Sequence, residues 1–205
     1  MLEARGLNCA RGDRLLFSNV SFSLAPGEML HVRGANGSGK TSLLRLLCGL
    51  LLPDAGEISW DGENIRHCRE QYHAALTYLG HHGGVKDDLN PVENLDFSAG
   101  LHGIHSETGA DRQALGAVGL TRCSVLPTRV LSQGQKRRVA LARLWQENRT
   151  LWILDEPFAA LDVAAIEVLA EHVSAHLECG GMAVMTTHQE VPLRARSVQE
   201  LKLGR

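Results

Sequence analysis

The stretch Gly34-Ala35-Asn36-Gly37-Ser38-Gly39-Lys40-Thr41, with Ser42 after it, satisfies G-x-x-x-x-G-K-[ST] in full. These residue types suit one task, gripping a chain of phosphates. Glycines let backbone N–H groups converge on anionic oxygens with no Cβ in the way. A helix starting at the end of the loop turns its positive end on the same oxygens. Lys40 is expected to reach the β- and γ-phosphates, and Thr41 to offer its hydroxyl to Mg²⁺. Average composition yields this pattern by chance in roughly one chain of this length in a hundred. A second chemical feature closes the apolar run Leu151-Trp152-Ile153-Leu154, where the carboxylates Asp155 and Glu156 follow. Asp155 is suited to hold Mg²⁺, usually through water, and Glu156 to orient or polarise an attacking water. Two adjacent acids in one site need a cation nearby. Between these motifs, Leu131-Ser132-Gln133-Gly134-Gln135 offers a hydroxyl, a glycine N–H and a helix start, the makings of a second anion site.

The elements that must position these groups follow from pattern. Residues 29–33 read as a buried strand ending at Gly34, with a helix beginning near Gly39. Strand, glycine-rich loop and helix open a nucleotide-binding βαβ unit. Residues 2–8 and 20–24 are short strands, Pro26-Gly27-Glu28 is a turn, and 58–65 is a hairpin around the type I′ signal Asp61-Gly62. Asn90-Pro91 starts a helix as N-cap and N1. Helical patterns continue to about residue 146, broken near 120–130. Residues 151–154 and 182–186 are buried strands around an amphipathic helix at 163–177, and 201–203 is a last edge strand. Strands alternating with helices predict an α/β fold with a largely parallel sheet.

Composition sets bounds. Of 205 residues, 44% are hydrophobic and 21% charged, so the chain is globular and holds one or two domains. A net charge of -2 argues against a broadly basic nucleic-acid binder. The five cysteines form no CxxC pair, which fits a reducing compartment. The most apolar run, 43–52, is interrupted by Arg45 and falls short of the roughly 20 residues of a spanning helix. The first residues carry no secretory h-region, so the expected location is the cytosol, unless another protein holds the chain at a membrane.

The motif between the phosphate loop and the acids resembles the LSGGQ signature of ATP-binding cassette (ABC) ATPases, with Gln133 at the first glycine position. Ala160-Leu161-Asp162 resembles that family's D-loop, and Thr187-His188-Gln189 its switch histidine. The order of motifs matches over nearly the whole chain. The resemblance implies a P-loop NTPase domain: a RecA-like parallel core with an antiparallel β subdomain (1–85 and 150–205) and a helical subdomain carrying the signature (about 86–149). It implies Mg²⁺-dependent ATP hydrolysis with Glu156 and His188 catalytic. It also implies a head-to-tail homodimer, in which ATP on the loop of one copy is capped by Ser132 and Gly134 of the other.

Some slots depart from the family. Where it carries an aromatic that stacks on adenine, this chain has Arg11, whose guanidinium plane can stack on a base or sit exposed in a loop. The coupling-loop glutamine is replaced by His81, with His82 beside it. The histidine pairs 81/82, 102/105 and 172/176 raise a metal or heme-ligand reading, but none forms an HExxH helix, so solvated or capping histidines are expected. Within the family, Gly80-His81-His82, Arg11, LSQGQ and Thr186-Thr187-His188-Gln189 are similar to the ATP-binding subunits of bacterial heme exporters that serve cytochrome c maturation. That likeness implies integral membrane partners on the cytoplasmic face of the inner membrane. ATPase subunits for a lipid, an amino acid or a metal carry the same general motifs. A GTPase would need an N-K-x-D motif, and a small-molecule kinase would lack the LSQGQ and Thr187-His188 pair.

Overall fold

The computed structural model describes residues 1–81, 83–103 and 109–204. The chain divides into two compact units, the first of residues 1–78, 149–156 and 173–205, the second of 79–148 and 157–172.

Two sheets build the first unit. One is antiparallel, in the order β2-β1-β4-β5, from β1 (Leu2–Arg11), β2 (Arg14–Leu24), β4 (Ala55–Trp60) and β5 (Glu63–Asn64). Alternation along β1, stepped by one residue at a register shift between Ala4 and Leu7, puts Leu2, Ala4, Leu7 and Cys9 in the core. The turn between β4 and β5 has Asp61 at φ 51° and Gly62 at φ 85°, the two positive angles that a type I′ turn requires. The other sheet runs β6-β7-β8-β3-β9, from β3 (Glu28–Arg33), β6 (Leu76–Leu79), β7 (Leu151–Asp155), β8 (Met182–Thr186) and β9 (Ser197–Lys202). The pairs β7/β8, β8/β3 and β3/β9 are parallel. Strands β7 and β8 are buried at every residue, as apolar runs inside a covered parallel sheet should be. Helix α1 (Lys40–Leu47) follows β3 and buries Leu43, Leu44, Leu46 and Leu47. The apolar run at 43–52 is thus core at its helical end.

A short helix α2 (Arg69–Ala75) and strand β6 carry no strong sequence signal. Only Tyr72 of α2 is buried, and its hydroxyl donates to the Leu47 carbonyl at 2.6 Å.

The second unit is mainly helical, with α3 (Pro91–Leu101), α4 (Ala110–Ala117) and α5 (Gln133–Ala142) around a core of Leu95, Leu115, Leu120 and Val139. Asn90 caps α3 in a full capping box with Glu93, worth about 1 kcal/mol. Short 3₁₀ turns at Thr121–Cys123 and Thr128–Val130 account for the break in the helical pattern. The last helix, α6 (Val163–Glu178), starts beside Asp162, whose carboxylate accepts from the Ala165 N–H. Among the described residues, no helix is long and apolar enough to cross a membrane.

Candidate active site

The phosphate loop joins β3 to α1. Gly34 lies where a Cβ would stand 2.5 Å from both the Leu203 carbonyl oxygen and the Ser38 hydroxyl, so no other residue fits there. The Ser38 hydroxyl is buried and has no hydrogen-bond partner among the described residues. A buried hydroxyl in that state costs about 1–3 kcal/mol, and an anion seated in the loop would satisfy it. Lys40 curls over the loop, its ammonium 2.7 Å from the Gly34 carbonyl and 3.3 Å from that of Ala35. A buried hydroxyl aimed into the loop and a cation at its mouth fit a polyphosphate.

The acids stand at the carboxyl end of β7, in the same unit. Asp155 is buried, and both its oxygens are engaged: Thr41 donates to Oδ2 at 2.8 Å and Thr186 to Oδ1 at 2.7 Å. Thr41 and Asp155 therefore present hard oxygens side by side, the donor chemistry that Mg²⁺ takes alongside phosphate and water. No cluster of three His, Cys, Asp or Glu side chains able to hold a metal occurs among the described residues. Burial pushes the Tyr78 hydroxyl pKa up, helped by the charges of Cys48 and Asp155, against a hydrogen bond from Arg45.

Glu156 turns out of the strand at φ 50°, a left-handed geometry uncommon for a residue with a Cβ. Its N–H donates to both the carbonyl and the hydroxyl of Thr186, at 3.1 and 2.9 Å. So held, the carboxylate lies with Oε1 3.4 Å from His188 Nε2. A carboxylate beside an imidazole can orient a water and pass its proton. Sequence reasoning missed Thr186, which anchors both acids. A threonine ending an apolar strand looks like any strand end.

The signature lies in the second unit. Ser132 is the N-cap of α5, accepting from the Gln135 N–H at 3.2 Å, while Gln135 Oε1 accepts from the Ser132 N–H at 2.9 Å. Gln135 thus serves the capping box, and Ser132 remains exposed. At Gly134 a Cβ would stand 2.8 Å from the Ala160 carbonyl, so the approach of the D-loop demands glycine. Ala160 itself has φ 61°. His81 is exposed, and its carbonyl and that of Gly80 accept from Arg137 of α5 at 3.4 and 3.1 Å. With Gln133, Lys136 and Arg137 it lines a cleft of about 410 Å³.

Arg11 ends β1, exposed and paired with Arg14. Arg14, rather than Arg11, lines the cleft of about 750 Å³ beside the phosphate loop, with Leu16, Phe17 and Ser38. The histidines of α6 are not solvated. His172 stacks on Trp145 and His176 on Trp152, each at 3.8 Å between ring centroids. Their Nε2 atoms lie 3.0 Å from the Leu144 carbonyl and 3.2 Å from that of Met182. Burial lowers the His172 pKa against the opposing bond to Leu144. His102 is the C-cap of α3, with Nδ1 2.8 Å from the Ser98 carbonyl. His82 and His105 lie outside the described residues.

A family model described as "ABC transporter" matches residues 17–159. The cytochrome c biogenesis ATP-binding export protein CcmA of Nitrosomonas europaea is 55% identical over 204 residues, covering 100% of this chain and 96% of that protein. Its namesake in Dechloromonas aromatica is 54% identical over 204 residues, covering 100% of each. Among solved structures, an ATP binding subunit of an ABC transporter matches with TM-score 0.80 at 29% identity, over 92% of this chain and 79% of that one.

Proposed function

The chain belongs to the ABC transporter family, and from that we propose that it is the ATP-binding and ATP-hydrolysing subunit of a heme exporter in cytochrome c maturation. One observation carries the choice of branch: 55% identity across the whole chain to a protein named for cytochrome c biogenesis export. The exporter's ATP hydrolysis is linked to release of a heme-loaded chaperone, and the cassette itself need not touch heme.

On this reading Gly34, Ala35, Asn36, Gly37, Ser38 and Gly39 wrap the phosphates, with Ser42 on the first turn of α1. Lys40 offsets the charge of the β- and γ-phosphates. Thr41 and Asp155 would hold Mg²⁺, which supplies positive charge to the γ-phosphate as it transfers. Glu156 orients the attacking water, and His188 steadies the γ-phosphate and that water. Arg11 stays a candidate for the base and His81 for the coupling loop. Two copies pair head to tail, so that Ser132 and Gly134 of one cap the nucleotide on the other. The helical segment at about 86–149 carries the signature, and CcmB-like and CcmC-like integral membrane subunits hold the pair at the cytoplasmic face of the inner membrane.

The test is Glu156→Gln. ATP affinity should stay and steady-state hydrolysis should stop. Cells carrying this variant should accumulate heme-loaded chaperone and make no mature cytochrome c. Normal hydrolysis would remove Glu156 from the chemistry, and normal cytochrome c maturation would remove the chain from that pathway.

A further inference from the structure

The switch histidine needs a fixed backbone, and much of what fixes it comes from β3. His31 is buried in that strand, its Nε2 3.1 Å from the carbonyl oxygen of Thr187, the residue just before His188. Its Nδ1 accepts from Arg33 Nε at 3.3 Å, and Arg33 in turn pairs with Glu200 of β9 at 3.1 Å. His31, Arg33 and Glu200 share one face of the sheet, because His31 and Arg33 are two residues apart and His31 is paired in register with Glu200. The donated bond from Arg33 leaves Nδ1 without a proton, so Nε2 carries the hydrogen and donates to Thr187.

The neighbouring peptides are also held. The Thr186 carbonyl accepts from the Glu156 N–H, and the Thr187 hydroxyl accepts from the Gln189 N–H at 3.0 Å. The Thr187–His188 peptide is the remaining link, and His31 holds its oxygen.

We propose that His31 is a positioning residue for hydrolysis: its Nε2–H fixes the Thr187–His188 peptide and so aims the His188 ring at Glu156. Arg33 and Glu200 set the tautomer that makes this bond. The proposal rests on His188 acting in hydrolysis, as read above.

The experiment is a double-mutant cycle on the full chain, read as single-turnover hydrolysis of γ-labelled ATP so that slow variants stay measurable. His31→Phe keeps the ring volume and loses the donor. It should lower the rate about fivefold to tenfold, with ATP affinity unchanged. His31→Gln restores an N–H donor and should recover about half of the rate or more. In a His188→Ala background, His31→Phe should change the rate by less than about twofold. The same factor in both backgrounds, or no rescue by glutamine, would overturn the proposal. If His31→Phe does not fold, the half-exposed Arg33→Met reads the same chain of bonds. It should slow the reaction about twofold with His188 present and not without it; equal slowing in both would again overturn the proposal. If His188→Ala alone leaves hydrolysis untouched, the role of His188 is wrong and the proposal falls with it.

Discussion

Thr186→Val isolates the contact that organises the acidic end of β7. Valine matches threonine in shape, and the site is fully buried, so packing changes little. What is lost is the donor to Asp155 Oδ1 at 2.7 Å and one of two acceptors for the Glu156 N–H. The second loss is small, because that N–H keeps the Thr186 carbonyl at 3.1 Å. The first removes a hydrogen bond to a buried carboxylate, worth about 1.5–3 kcal/mol. At about 2–4 °C per kcal/mol for a chain of this size, the midpoint of thermal unfolding should fall by about 3–12 °C. Turnover should fall as well, because Asp155 loses the donor that fixes its carboxylate beside Thr41. About tenfold in kcat with KM unchanged is expected. Thermal unfolding followed by circular dichroism and a phosphate-release assay measure the two effects. A shift of under about 1 °C with normal kcat would refute the anchoring role of Thr186.

Two other outcomes follow from the same geometry. Gly34→Ala puts a Cβ against the Leu203 carbonyl and the Ser38 hydroxyl, both at 2.5 Å, so equilibrium dialysis should find ATP binding lost while the fold persists. His172 has its pKa lowered from 6.5 by burial, so the unfolded chain takes up its proton first as pH falls. The stability it contributes is complete above about pH 6.5 and declines below it toward the folded-state pKa. His172→Asn should show a smaller loss of urea midpoint between about pH 7.5 and pH 5.5 than the parent chain.

The chemistry-bearing loops were legible because their residue types are forced. At Gly34 and Gly134 an added Cβ would stand 2.5 and 2.8 Å from backbone carbonyls, Asp61-Gly62 takes two positive φ angles, and Asn90 closes a capping box; in each case one local requirement dictates the residue. Strands β7 and β8 were legible for a related reason, since burial on both faces demands unbroken apolar runs. Helix α2 was not, because it has no side-chain cap and buries only Tyr72. The histidines of α6 were misread as solvated or capping. Their spacing showed a shared helical face, but the tryptophans that cover them come from Trp145 and Trp152, far along the chain. Thr186 and His31 escaped notice for the same reason: their importance lies in partners 31 and 156 residues away, and pattern within a window carries no trace of those.

The composite site is tested most directly by mixing two variants in a Glu156→Gln background, one with Lys40→Ala and one with Ser132→Arg. Alone, neither can assemble a phosphate loop and an opposing serine on one nucleotide. Mixed, each heterodimer should contain one intact site. Size-exclusion chromatography with labelled ATP should therefore show a nucleotide-retaining dimer only in the mixture, with about one ATP per dimer. A nucleotide-retaining dimer of the Ser132→Arg chain by itself, or none in the mixture, would contradict the claim that one copy caps the other's triphosphate.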